Sequence, residues 1–168
     1  MKIFISYHLA DTKSVNKIKE KLSLNKINYY AVPEDADFTD WHNEEISKFI
    51  LDKMQDCQIL LCVVGKETYK RPHVDYEIHH ALKGIVGARL GIVAVLLENR
   101  HDSIYNIDYS TFPPRLSDNE EYLVMIQNAG LIEQINDAII EANQNRKDRN
   151  IQVNNKRKCM KLPNKYYG

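Results

Sequence analysis

The run Ile59-Leu60-Leu61-Cys62-Val63-Val64-Gly65 decides the fold. It has the length of one strand, carries no polar residue at alternate positions and ends on a glycine. A strand with one face in water alternates apolar and polar residues, whereas a run like this suits a strand covered on both faces, as in a parallel sheet. A second such run, Ile92-Val93-Ala94-Val95-Leu96-Leu97, follows. Parallel neighbours require a crossover, and residues 74–83 have the pattern of the helix that makes it.

The alternation extends in both directions. Ile3-Phe4-Ile5 reads as a first strand, and from Asp11, an N-cap residue type, Val15, Ile18 and Leu22 recur at helical spacing. Residues 27–32 read as a second strand, closed by the acidic, turn-rich Pro33-Glu34-Asp35-Ala36-Asp37. Ile46, Phe49, Ile50 and Met54 mark a second amphipathic helix. Toward the other end, residues 122–126 read as an edge strand, and Leu131, Ile135, Ala138, Ile139 and Ala142 as a closing helix. Strand–helix alternation of this kind predicts a doubly wound α/β sheet. Ligands of such sheets gather beyond the carboxyl ends of the strands, which directs attention to residues 6–11, 33–41 and 65–77.

The chain of 168 residues is the size of one domain, and 23 basic against 23 acidic side chains argue against a dedicated nucleic-acid surface. No apolar stretch approaches the roughly 18 residues of a membrane span, and the opening residues turn polar too soon for a signal peptide. Three cysteines, two of them bounding an apolar run, fit reduced thiols in the cytoplasm better than a disulfide framework. From about Asn145 the chain turns polar, and Lys156, Arg157, Lys158, Lys161 and Lys165 make it basic. The expected organisation is a domain over residues 1–145 and a solvated, flexible tail over residues 146–168.

The turn after the first strand lacks the G-x-G-x-x-G spacing, and no P-loop or G-x-S-x-G elbow is present, so hydride transfer, ATP hydrolysis and serine-hydrolase chemistry lose ground. The segment Arg71-Pro72-His73-Val74-Asp75-Tyr76-Glu77-Ile78-His79-His80 follows the central strand. Glu77 falls near the start of the third helix, where the dipole favours a carboxylate. A fixed carboxylate there can hold ribose hydroxyls and face the charge that develops in an oxocarbenium-like transition state. The plainer alternative is a helix-start Glu that only complements the dipole. His73, Glu77 and His80 are spaced to share a helix face and invite a metal reading, weakened by the position of His73 beside Pro72. Trp41, after an acidic loop containing Phe38, can stack on a base or anchor the loop, with no basis for choosing. Asp35, Asp37 and Asp40 lack the spacing of a calcium loop.

At these residues the chain resembles the TIR superfamily, in particular its bacterial branch of Thoeris antiphage proteins. Ile3-Phe4-Ile5-Ser6-Tyr7-His8-Leu9-Ala10-Asp11 is similar to that branch's first-strand box. Residues 57–68 resemble its central strand, and Val74-Asp75-Tyr76-Glu77-Ile78 its catalytic segment. The likeness covers roughly residues 1–100. It implies a flavodoxin-like TIR fold with about five parallel strands and helices on both faces. It also implies hydrolysis or transglycosylation of NAD+, with Glu77 catalytic and Ser6, Tyr7, His8, Asp37, Phe38, Trp41 and His73 beside the substrate. No metal or further cofactor is implied. Self-association through TIR surfaces, a separate effector reached through a nucleotide signal, and no nucleic-acid or membrane partner complete the expectation. One departure stands out: the family usually has Trp where this chain has His73. Two other readings stay open, a TIR interaction module without chemistry and a nucleoside-processing domain related to deoxyribosyltransferases.

Overall fold

The computed structural model describes residues 1–33, 41–127 and 132–162. Its strands are β1 (Lys2–Ser6), β2 (Asn28–Ala31), β3 (Ile59–Val64), β4 (Gly91–Leu96) and β5 (Val124–Gln127). The helices are α1 (Thr12–Leu24), α2 (Asn43–Met54), α3 (Pro72–Lys83), the short α4 (Pro114–Ser117) and α5 (Ile132–Asn145). The strands form one sheet in the order β2-β1-β3-β4-β5, every pair parallel. This is the doubly wound architecture the two apolar runs predict. Every residue of β3 and β4 is buried, because each strand lies between paired neighbours and under helices on both faces.

Side-chain alternation divides the core. Phe4, Leu60, Cys62, Val64, Ile92, Ala94 and Leu96 face α2, α3 and α4, while Ile3, Ile5, Leu61, Val63, Val93 and Val95 face α1 and α5. The sheet order reverses between β1 and β3, since the chain leaves β1 for β2 on one side and returns to β3 on the other. In open α/β sheets this reversal leaves a crevice at the carboxyl ends of the strands.

Several local expectations are corrected. Asp11 occupies the N-cap position of α1, but its side chain makes no cap bond. Its carboxylate instead accepts a 2.8 Å bond from Asn99 Nδ2 beyond β4. The same carboxylate sits against Gly65, where an added Cβ would come within 2.2 Å of Asp11 Oδ2. The glycine at the exit of β3 therefore permits a close approach between the β1 and β3 loops. Tyr122 precedes β5 rather than opening it, and its hydroxyl donates a 2.8 Å bond to the Leu90 carbonyl. Leu131 lies outside the described residues.

The basic segment after α5 departs from the expected solvated tail as far as Met160. Arg115 of α4 is fully buried and paired with Asp75 of α3, with Nε 2.8 Å from Asp75 Oδ1. The same guanidinium donates to Asn155 Oδ1 at 2.8 Å and to the Arg157 carbonyl at 2.9 Å. The Met160 N–H donates to the second Asp75 oxygen at 2.7 Å, and Asn155 Nδ2 to the His79 carbonyl at 2.9 Å. Arg157 in turn pairs with Asp118 at 2.7 Å. This segment is thus strapped across α3 and α4 because two buried charges and the backbone groups beside them need partners.

Candidate functional site

Three chain segments meet at the carboxyl ends of β2, β1 and β3. Ser6 is the last residue of β1 and is paired in register with Cys62 of β3. Both side chains point to the face covered by α3, as alternation from Phe4 and Leu60 requires. Pro72 opens α3 with its φ already helical. Glu77 lies on the second turn, and Val74, Ile78, Ala81 and Leu82 pack the helix onto the sheet. That packing carries Glu77 inward to 5 % exposure.

The sequence placed Glu77 in the first turn or so of this helix, where the dipole would favour its ionised form. One turn deeper, burial dominates: desolvation pushes its carboxyl up to about 8, offset in part by the Ser6 hydroxyl beside it. Burial likewise pushes the Cys62 thiol up, with Glu77 adding to the effect and Ser6 opposing it. The Ser6 hydroxyl is thus within reach of both groups, yet no hydrogen bond of good geometry fixes its oxygen.

Glu77 opens into a narrow cavity of about 10 Å³ lined by Ile5, Tyr7, Leu9 and Val32. Tyr7 closes one side, its hydroxyl donating a 3.0 Å bond to the Val32 carbonyl and Lys19 standing 5.4 Å over its ring. This volume holds about one water. A larger cavity of about 270 Å³ lies further along the same edge, beside Lys66, Arg100 and Asp102. No residue lines both, and Glu77 belongs to the smaller one.

The structure gathers Ser6, Tyr7 and Glu77. His8 follows directly and is 8 % exposed; burial, then the nearby Arg71 charge, lower its pKa. His73 sits one turn before Glu77 on the same helix face, and burial pulls its pKa down to about 4. It is a neutral imidazole at neutral pH. Trp41 is 37 % exposed and packs edge-on against Phe49 of α2 at 5.7 Å, continuing through Tyr30 to Phe4. Those contacts favour anchoring of the loop. Asp35, Asp37, Phe38 and Asp40 lie outside the described residues. Among the described residues, no three His, Cys, Asp or Glu side chains are disposed to hold a metal ion. His80, the third member of the suggested cluster, packs its ring on Tyr76 at 4.4 Å.

Sequence reasoning missed Leu9, Val32 and Cys62. Cys62 was legible in principle, because alternation along β3 sets it on the face of Leu60 and opposite Ser6.

The sheet order defines a flavodoxin-like α/β domain, and Glu77 is a buried carboxyl at its carboxyl edge. The chain belongs to the family described as "Thoeris protein ThsB, TIR-like domain", whose model matches residues 4–102. The match spans β1 to β4 and includes Ser6, Glu77 and His73. No curated protein matches the chain. Among solved structures it is similar to the TIR domains in "Structure of the activated Roq1 resistosome directly recognizing the pathogen effector XopQ". The identity is 14 % over 85 % of this chain and 83 % of that one, with a TM-score of 0.47.

Proposed function

We propose that this chain cleaves the bond between nicotinamide and ribose in NAD+ and so makes an ADP-ribose-derived signal in antiphage defence. The observation that carries the reading is the Glu77 carboxyl, buried beside Ser6 at the carboxyl edge of the sheet. In the unliganded chain, burial keeps this group protonated at neutral pH. The nicotinamide ring of NAD+ is cationic, and its approach in a low-dielectric cavity favours the carboxylate. The C1′–N bond then breaks with its electron pair leaving on nicotinamide, which becomes neutral and needs no general acid. The carboxylate faces the positive ribosyl carbon. Water, or the adenine ring of the same molecule, adds to C1′, and the proton released returns to Glu77 or to solvent.

A cavity of about 10 Å³ does not admit a nucleotide, so Tyr7, Leu9 and Val32 have to part before catalysis. Self-association through TIR surfaces in the cytoplasm is the event that supplies such an opening in this reading. The same small cavity favours a second reading, a TIR module that assembles without chemistry. Calorimetric titration of Glu77→Gln protein with NAD+ separates them: micromolar to millimolar binding supports the enzyme, and its absence at high protein concentration supports the module.

A further inference from the structure

Beyond Glu77, the carboxyl edge of the sheet holds a second polar feature. In strand order, the Glu77 cavity lies at the ends of β2 and β1, and the 270 Å³ cavity lies at the ends of β3 and β4. His8, on the loop after β1, and Arg71, at the start of α3, are close enough for the Arg71 charge to act on the imidazole, though neither lines either cavity. Each carries a buried nitrogen with no hydrogen-bond partner among the described residues: Nδ1 of His8 and Nε of Arg71. His8 is more than nine-tenths buried, and its ring feels the Arg71 charge. Of the acids that act on His8, Glu67 is paired with Lys70 at 3.0 Å, and Asp11 gives one oxygen to Asn99 at 2.8 Å while its buried Oδ2 has no partner among the described residues. Arg71 is also the N-cap residue of α3, a 12-residue helix whose dipole favours an anion at that end. Buried polar nitrogens of this kind are costly unless a ligand or water meets them.

We propose that Arg71 and His8 form an anion site that takes the pyrophosphate of a dinucleotide whose ribosyl end reaches Glu77. This assignment rests on the NAD+-cleaving reading for the identity of the dinucleotide. Arg71 precedes Glu77 by six residues, about 9 Å along a helix axis, and neighbouring strands are about 5 Å apart. Both spans suit the distance from a nucleotide's anomeric carbon to its phosphates. Arg71 contributes a fixed positive charge and the Nε–H donor. His8, whose charged form burial and the Arg71 charge disfavour, contributes a buried ring nitrogen beside it.

The test uses the full chain carrying Glu77→Gln, so that nothing is turned over, with and without Arg71→Gln or Arg71→Lys. Affinities for inorganic pyrophosphate, ADP-ribose and nicotinamide riboside are read by calorimetry, after circular dichroism shows each variant folded. The expected result is a loss of about tenfold or more in affinity for pyrophosphate and ADP-ribose in Arg71→Gln, partly restored in Arg71→Lys. Nicotinamide riboside, which has no phosphate, is expected to bind unchanged. ADP-ribose affinity within twofold of the Arg71 protein overturns the assignment, as does failure of that protein to bind pyrophosphate. Arg71-dependent pyrophosphate binding in a chain that never releases nicotinamide from NAD+ keeps the anion site and removes the glycohydrolase.

Discussion

Ser6 at the end of β1 and Glu77 on the second turn of α3 lie side by side at the carboxyl edge of the sheet, 1 % and 5 % exposed. The serine hydroxyl partly offsets the desolvation that lifts the carboxyl to about 8. A carboxyl this far from its ordinary range costs stability when ionised, and that cost gives measurable consequences.

Glu77 has its ordinary pKa when unfolded and a raised one when folded. Its contribution is therefore fully present below about pH 4.5 and is lost as pH rises through the folded value near 8. Over that window its slope reaches about 1.4 kcal/mol per pH unit. Glu77→Gln, neutral throughout, should gain on the parent in urea midpoint as pH goes from 5 to 8. A constant difference between the two across that range would contradict a buried, proton-holding Glu77.

The same group should shape the rate. If the carboxylate is the acting form, kcat/KM for NAD+ rises with pH toward an apparent pKa near that of the free protein, about 8. The profile of kcat should level off at lower pH, because the bound nicotinamide cation favours ionisation. A kcat/KM that falls between pH 6 and 8 would assign Glu77 the role of an acid instead.

Arg115→Ala should be among the most destabilising single changes in the molecule. It leaves Asp75 buried without its guanidinium and releases Asn155 and the Arg157 carbonyl. The expected loss is about 3–5 kcal/mol in chemical denaturation. Arg115→Ala with Asp75→Asn should recover part of it, and an additive double variant would show that the pair is not coupled.

Val86 holds φ at 52° in a two-residue turn closed by the Ile85 and Ala88 backbone groups, followed by Gly87 at 82°. A β-branched residue is strained in this region, and the side chain is 85 % exposed, so nothing is gained from its packing. Val86→Asn should raise stability by about 0.5–1 kcal/mol in thermal melts, with no change in ligand binding. A lower melting temperature would mean that the exposed valine has a contact in solution.

Much of this was legible in the sequence, for identifiable reasons. Residues 59–64 and 92–96 declare buried parallel strands because neither face can be polar, and Val15, Ile18 and Leu22 declare a helix by period alone. The position of Glu77 was legible too, but its protonation was not. Whether a carboxyl on a helix sits in the dipole's field or under the sheet depends on where α3 starts and how Val74 and Ile78 seat it. The strap was invisible for a different reason. Asp75 and Arg115 are 40 residues apart, and Met160 is 85 from Asp75, so their basic and acidic residues read as ordinary surface charge. His8 and Arg71 both fell within the loops that the sheet-edge rule marks, but only His8 was singled out, through the family's first-strand box. The interest of Arg71 comes from a buried Nε that meets no partner among the described residues.

The most direct test is release of nicotinamide from NAD+ by the purified chain at high concentration, with Glu77→Gln alongside and both shown to be folded. Release by the parent and none by the variant is the predicted result. Equal release by both would contradict the assignment of Glu77, and silence from a parent that assembles and binds NAD+ would contradict the enzyme itself.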